Sequence, residues 1–323
     1  MQKNFQGSIS GKRIFFPFLL SILVIGVAVT VMIIPFILGG DGSGAMLYGL
    51  FVYFASVILT LVVSIYIYYV FIKETILGIS LEEEPQFELP ASTFFWKNLL
   101  WSLLSLITFG IYMPWHLRNV LTLIGDSTSY KGKTYKFLGV PSDFLGKYIA
   151  ILVVTMATSM YLNSSVTSSE PIVAGAMFGI AFSYLFLIVL QLAVYALITV
   201  WVIDLEYDGK RISYRGGIGR LVGKMMVELL LSFITLGIYT PVAMYGVARY
   251  AINKIGYGEN GQLVQSGKKL SFFGWAWLQM VLCAVTLGIY TPWAYAKLLN
   301  LIVDETSLVI SEDRESFSDE TAV

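Results

Sequence analysis

The chain alternates between long uncharged stretches and short polar ones. Ile14 to Leu38 is an unbroken apolar run, longer than the roughly 20 residues that cross a hydrocarbon core of about 30 Å. Ala45 to Ile72 is a second such run, and Tyr66, Tyr68, Tyr69 and Lys73 crowd its far end as an interfacial belt does. Lys147 to about Leu162 predicts a third span, and Ile172 to Ile203 contains a fourth. The first run exceeds the apolar region of a cleaved signal peptide, so it reads as a retained span.

Between and after these spans lie three shorter apolar stretches, each broken in the middle by one recurring string. The copies are Thr108-Phe-Gly-Ile-Tyr-Met-Pro-Trp115, Thr235-Leu-Gly-Ile-Tyr-Thr-Pro-Val242 and Thr286-Leu-Gly-Ile-Tyr-Thr-Pro-Trp293. Gly110, Gly237 and Gly288 suit the residue that ends a helix at positive φ. Pro114, Pro241 and Pro292 suit the first position of a new helix. Tyr112, Tyr239 and Tyr290 lie between them, so each string predicts helix, tight turn, helix. Turn chemistry alone accounts for the motif; a ligand-binding role is the alternative.

Polar segments with strand-forming residues separate these pieces. Lys131-Gly132, Asp208-Gly209 and, more weakly, Asn260-Gly261 mark hairpin turns. Residues 73–93 read as a solvated linker. The tail from Ser311, with Glu312, Asp313, Glu315, Asp319 and Glu320, reads as disordered. The expected architecture is an all-α integral membrane protein. It has four full transmembrane helices, three helix-turn-helix hairpins and short cytoplasmic β-hairpins between units. One membrane domain would span 1–323, with internal units at 14–125, 147–255 and 271–304 and an acidic tail at 311–323.

Charge supplies the orientation. Short loops rich in Lys and Arg stay in the cytoplasm. Lys3, Lys12 and Arg13 place the N-terminus there, while loops 39–44 and 163–171 carry no Lys or Arg and belong outside. The segments before and after the first motif are basic, as are those flanking the second, so each hairpin enters and leaves on the cytoplasmic side. The C-terminus is then cytoplasmic too. The arms Lys97–Gly110, Pro114–Asp126 and Lys224–Gly237 are each about 20 Å long at helical rise, short of a crossing. A rival geometry has longer, tilted arms that cross completely.

Composition agrees with a lipid-facing surface. Hydrophobic residues make up 57% and charged residues 13%, against about 25% charged in a soluble domain. The expected partner is the lipid bilayer; a net charge of zero gives no argument for nucleic acid, and protein partners stay unspecified. One cysteine, Cys283, and one histidine, His116, exclude an intrachain disulfide and a His/Cys metal cluster. No Gly-x-Ser-x-Gly, His-Glu-x-x-His or glycine-rich phosphate loop occurs, so no catalytic, metal or cofactor residues are assigned and the chain is not expected to be an enzyme.

Polar residues recur in register after each proline. Asn119, Gly246 and Lys297 lie five residues on; Thr122, Arg249 and Asn300 lie eight on; Asp126, Asn253 and Asp304 lie twelve on. These steps share one helical face. The stripe either faces cytoplasmic water on interfacial helices or lines a polar vestibule. Glu228 stands alone in an apolar arm, where Gln279 is its counterpart in the third unit and Trp101 in the first. An ionisable residue at depth suggests proton or ion coupling. The alternative is a structural pair, with Arg249 at matching depth across the hairpin or Lys224 at i−4.

Taken together, the three motifs, the pairs of spans and the strands Tyr135-Lys-Phe-Leu-Gly139 and Ile212-Ser-Tyr-Arg-Gly216 resemble the YjgN-like family of bacterial inner-membrane proteins. Leu270-Ser-Phe-Phe-Gly274 is a looser match to the same strand, and Val242 departs from the family's Trp. The resemblance, over roughly 90–320, implies a multi-pass inner-membrane location and no reaction. Two functions are carried forward: small-solute or ion transport through a polar cavity open to the cytoplasm, and a non-transporting scaffold or lipid/protein-interaction module whose strands assemble into a small cytoplasmic sheet.

Overall fold

In the computed structural model, residues 2–38, 43–167, 174–267 and 269–310 are described. The tail 311–323 and parts of the two loops expected outside, 39–42 and 168–173, lie beyond the described residues. The chain opens with strands β1 (Gln2–Asn4) and β2 (Gln6–Gly7), then helices α1 (Gly11–Leu38) and α2 (Ser43–Leu77). Strands β3 (Ile79–Ser80) and β4 (Gln86–Phe87) lead to α3 (Ala91–Ile107) and α4 (Met113–Asp126). Strands β5 (Thr128–Tyr130) and β6 (Lys133–Phe137) precede α5 (Pro141–Thr167) and α6 (Ala174–Val202). Strands β7 (Leu205–Tyr207) and β8 (Lys210–Tyr214) precede α7 (Ile218–Ile234) and α8 (Thr240–Ile252). Strands β9 (Ile255–Tyr257) and β10 (Gly261–Gln265) precede α9 (Lys269–Val285), α10 (Thr291–Asp304) and β11 (Thr306–Ile310).

Four helices, α1, α2, α5 and α6, are long and apolar enough to cross a membrane. Their outward faces are apolar, as at Phe16, Leu23, Phe51, Met160 and Phe182, all exposed. Soluble monomers seldom expose contiguous apolar patches beyond a few hundred Å². The other six helices are shorter, 13 to 17 residues.

The short helices form pairs α3/α4, α7/α8 and α9/α10, and the recurring string makes the turn in each. Phe109, Leu236 and Leu287 take φ near +50°, and Gly110, Gly237 and Gly288 take φ of +86° to +88°. Each of these Gly N–H groups reaches back to a first-helix carbonyl, as Gly110 does to Ser105 at 2.7 Å. The threonine explains its own presence. Thr235 Oγ1 donates to Leu231 O at 2.8 Å and accepts from Tyr239 N–H at 3.0 Å; Thr108 and Thr286 do the same. One hydroxyl thus ends the first helix and starts the second. Three large apolar side chains at the tips, Phe109, Leu236 and Leu287, are 88%, 92% and 91% exposed.

The all-α expectation is corrected here. The inter-helix segments do not remain separate hairpins; they join into a nine-stranded antiparallel sheet in the order β1-β11-β10-β9-β8-β7-β6-β5-β4, with β2 paired to β3. A lone two-stranded hairpin is marginally stable and leaves both edges unpaired; pairing edge to edge removes that cost. The N-terminal strand completes the circuit. β1 pairs β11, Phe5 N–H donates to Thr306 O, and β2 then crosses to β3, which runs on through 81–85 into β4. The sheet is therefore a closed ring with its one unladdered gap, between β3 and β4, bridged by the 81–85 strap.

Two polar regions are thus structural, one of them within the 73–93 stretch expected as a solvated linker. Residues 2–7 and 79–87 carry four of the ring's strands. Leu270–Gly274, matched loosely to a strand, falls at the start of helix α9, and the strand of that unit is β10. The glycines after the strand aromatics have a packing reason. A Cβ on Gly139 or Gly216 would overlap the ring of Phe137 or Tyr214, two residues earlier.

Strand and helix order close in the same sense. Each helix packs substantially on its neighbours in chain order, from α1 to α10, and α10 packs back on α1. Tight turns fall on one rim of the strand ring. At Lys131-Gly132 and Asp208-Gly209 both residues take positive φ, as two-residue hairpins require. All five helix pairs leave from the opposite rim and return to it. If the motif threonine and glycine act as described, Gly237→Ala destabilises the chain by about 1 kcal/mol or more. Thr235→Val costs about 1 kcal/mol, largely restored by Thr235→Ser. Thermal unfolding of the full chain in detergent reads both, and unchanged midpoints would break the link between motif and turn.

Candidate functional site

The polar residues of the short arms fall into two groups. One group ties the arms of each hairpin together. In the third hairpin Tyr290 Oη donates to Gln279 Oε1 at 2.9 Å and accepts from Lys297 Nζ at 2.8 Å. In the second, the Tyr239 hydroxyl is in hydrogen-bonding contact with the Glu228 carboxylate, whose Oε1 lies 2.8 Å from Lys224 Nζ. Glu228 is 1% exposed. Of the two basic partners considered from sequence, Lys224 at i−4 is in ion-pair contact. In the first hairpin Trp101 replaces the acceptor, and Asn119 Nδ2 donates to Tyr112 Oη at 3.2 Å. His116 supplies the cross-link there, with Nε2 2.7 Å from the buried Asn98 Oδ1 and Nδ1 3.2 Å from Ser105 Oγ.

The second group holds the strand ring to the helices. Asn300 grips the Ile9 backbone on both sides, accepting from its N–H at 2.9 Å and donating to its carbonyl at 3.1 Å. Asp304 accepts from Gly7 N–H at 2.7 Å, and a Cβ at Gly7 would sit 2.6 Å from Asn300 Cα. Asn253 Oδ1 accepts from Gln265 N–H at 2.7 Å. Thr122 and Arg249 are half-buried on α4 and α8. The helices α4, α8 and α10 that carry the stripe each pack on their neighbours in chain order. Pro114, Pro241 and Pro292 are buried at the helix starts, as a first-turn proline can be.

A second location was not legible in the sequence. The interior of the strand ring holds a cavity of about 200 Å³. Tyr130, Tyr135, Tyr207, Tyr257, Leu263 and Leu308 supply much of its wall. Tyr135 and Tyr207 stack with centroids 4.8 Å apart, and Tyr207 Oη donates to Tyr130 O at 2.9 Å. Burial, reinforced by neighbouring Tyr207, pushes the Tyr135 hydroxyl up to about 12. The strap closes the rim above. Leu81 and Pro85 face the cavity, and Glu82 is held by Lys3 of β1 at 2.6 Å and by Lys131 of the β5–β6 turn. Hydrogen bonds from Lys131 and Lys3 hold the Glu82 carboxyl down at about 2, below its usual 4.5. The sequence signal for this site is one tyrosine on each of β5, β6, β7 and β9, and it needs the sheet register to be read.

Among the described residues no group of three or more His, Cys, Asp or Glu is close enough to hold a metal ion. The fold is that of a chain with four apolar helices, compatible with a membrane protein, together with a nine-stranded antiparallel sheet and the β2–β3 pair. It belongs to a bacterial family of proteins of unknown function (DUF898), usually described as YjgN-like; the family model matches residues 97–265, from within α3 to the end of β10. No curated protein and no solved structure matches the chain.

Two outcomes test these interactions. Lys224→Met leaves the buried Glu228 carboxylate with one counter-charge fewer and costs about 3 kcal/mol. Glu228→Gln, which keeps shape and hydrogen bonding, costs less than about 1 kcal/mol. Equal losses in detergent unfolding would sink the charge-pair account. The Glu82 bridge has a depressed folded pKa, so its contribution is complete above about 4.5 and is lost as pH falls towards about 2. A spin label at Glu84 should stay immobile from neutral pH through 4.5 and gain mobility only as the pH falls towards about 2. Glu82→Gln should abolish that transition.

Proposed function

We propose that this is a multi-pass protein of the bacterial inner membrane whose strand ring lies in the cytoplasm and which holds or passes a small solute along the axis shared by its two rings. The observation that carries this reading is the common closure of strands and helices in one chain order, which encloses a single axis. Membrane insertion is supported by the four apolar helices and by the apolar hairpin tips.

Orientation is supported by charge and topology together. The ring turns carry Lys131, Lys133, Lys210 and Arg211, and basic loops favour the cytoplasm. Both β1 and β11 belong to the ring, which supports a cytoplasmic position for the described ends of the chain as well. The short arms, of 13 to 17 residues, reach about 20–25 Å, less than the core of about 30 Å. This favours re-entrant hairpins over complete crossings.

A second reading has its own support. Asn253 and Asp304 accept hydrogen bonds from strand N–H groups, and Asn300 from the Ile9 N–H between β2 and α1. That favours a non-transporting scaffold or a lipid- or protein-interaction module.

Single cysteines in a Cys283→Ser background separate these readings. A cysteine at Asp208 should react with a membrane-impermeant maleimide only from the cytoplasmic side; reaction from the periplasmic side overturns the orientation. Cysteines at Thr122 and Arg249 should react freely from the cytoplasm if the arms border a wet path. Protection of both supports the scaffold instead.

A further inference from the structure

Within the axial reading, we infer that the cavity inside the strand ring is a binding site for a small, uncharged aromatic molecule bearing one polar group. The size sets the upper bound. An engineered apolar cavity of about 150 Å³ accepts benzene, so about 200 Å³ fits one or two fused rings. The walls set the chemistry. Leu263 and Leu308 supply apolar surface, and the Tyr135–Tyr207 stack offers ring faces at the separations aromatic pairs favour. Glu82 and its lysines close the rim, and none of the three is among the residues lining the cavity. A charged ligand would lose its hydration without gaining a partner.

A second observation points to the polar group. Gln265 lies two residues beyond Leu263 on β10, hence on the same strand face and one layer closer to the helices, outside the set of residues that line the cavity itself. It is 1% exposed, and neither its Nε2 nor its Oε1 has a hydrogen-bond partner among the described residues. A buried amide left unmatched on both sides costs free energy, and a structure retains such a group most economically where a ligand completes it. The amide presents a donor and an acceptor together, so it suits a ring N–H or a hydroxyl. Its neighbour across the ladder, Thr306, is already committed to the Ile302 carbonyl at 2.6 Å.

The inference depends on the axial reading for location alone. Binding at equilibrium is measured without flux, so loss of the transport reading and loss of this one are distinguishable. The probe is indole, titrated calorimetrically into the full-length protein in detergent, with indole-3-carboxylate as the charged counterpart. Saturable one-to-one binding is expected for indole, about tenfold tighter than for the carboxylate. Leu308→Trp fills the cavity and should weaken indole binding about tenfold or more. Gln265→Leu should weaken it about fivefold while raising the unfolding temperature of the ligand-free protein. A lower unfolding temperature would mark Gln265 as merely structural and remove the polar part of the proposal. Identical isotherms for the wild type and Leu308→Trp overturn the site. Should Leu308→Trp not fold, Leu263→Phe replaces it, and the absence of NMR contacts between bound indole and the Tyr207 ring overturns the site equally.

Discussion

Unpaired strand edges are the constraint on which this structure depends. Each segment between helix pairs is only long enough for two short strands, and an isolated pair of that length is marginal. Its exposed N–H and C=O groups would also invite pairing with other chains. The chain resolves this by pairing each strand pair with the next. The N-terminal strands continue the circuit, pairing β11 through β1 and β3 through β2, and leave the strap-bridged gap between β3 and β4 as the place without a ladder. That closure does more than satisfy the backbone. It fixes where every helix pair starts and ends, and so makes α10 a neighbour of α1.

The polar residues of the helices follow from that arrangement. A helix anchored in the ring must turn back to it, and the Thr-x-Gly-Ile-Tyr-x-Pro turn does so with one hydroxyl, one positive-φ glycine and one proline. Tyrosines from the turn then meet polar groups on the facing arm, Glu228 or Gln279, at the depth where an unpaired partner would be costly. Farther from the tip, Asn253 and Asp304 bind strand backbone, and Asn300 binds the Ile9 backbone between β2 and α1. One periodic stripe therefore serves two purposes along its length, cross-linking near the tip and docking near the ring.

The axial cavity is a product of the same closure. Alternate residues of a strand face inward, and the strand positions that turn inward here carry tyrosines and aliphatic side chains. Their rings leave a cavity of about 200 Å³ beneath a strap held by an ion bridge. Gln265, two residues beyond Leu263 on β10, is buried with neither side-chain amide atom hydrogen-bonded among the described residues.

Much of the helical half was legible in the chain itself. Four apolar runs marked α1, α2, α5 and α6 to within about six residues, because a helix apolar along its whole length leaves a continuous hydropathy signal. The turn motif was legible because glycine and proline act locally, through φ and a missing N–H. The strand turns at Lys131-Gly132 and Asp208-Gly209 were legible for the same reason. What only the tertiary structure decided was long-range. Pairing Gln2–Asn4 with Ser307–Val309 joins the two ends of the described chain, and strands of two or three residues carry too little pattern to announce it. The partner of Glu228, the docking role of Asn300 and the tyrosine cavity depend on which residues meet across hairpins and strands. Local propensity determined the elements; edge pairing, which acts between residues far apart in sequence, determined the rings and what they enclose.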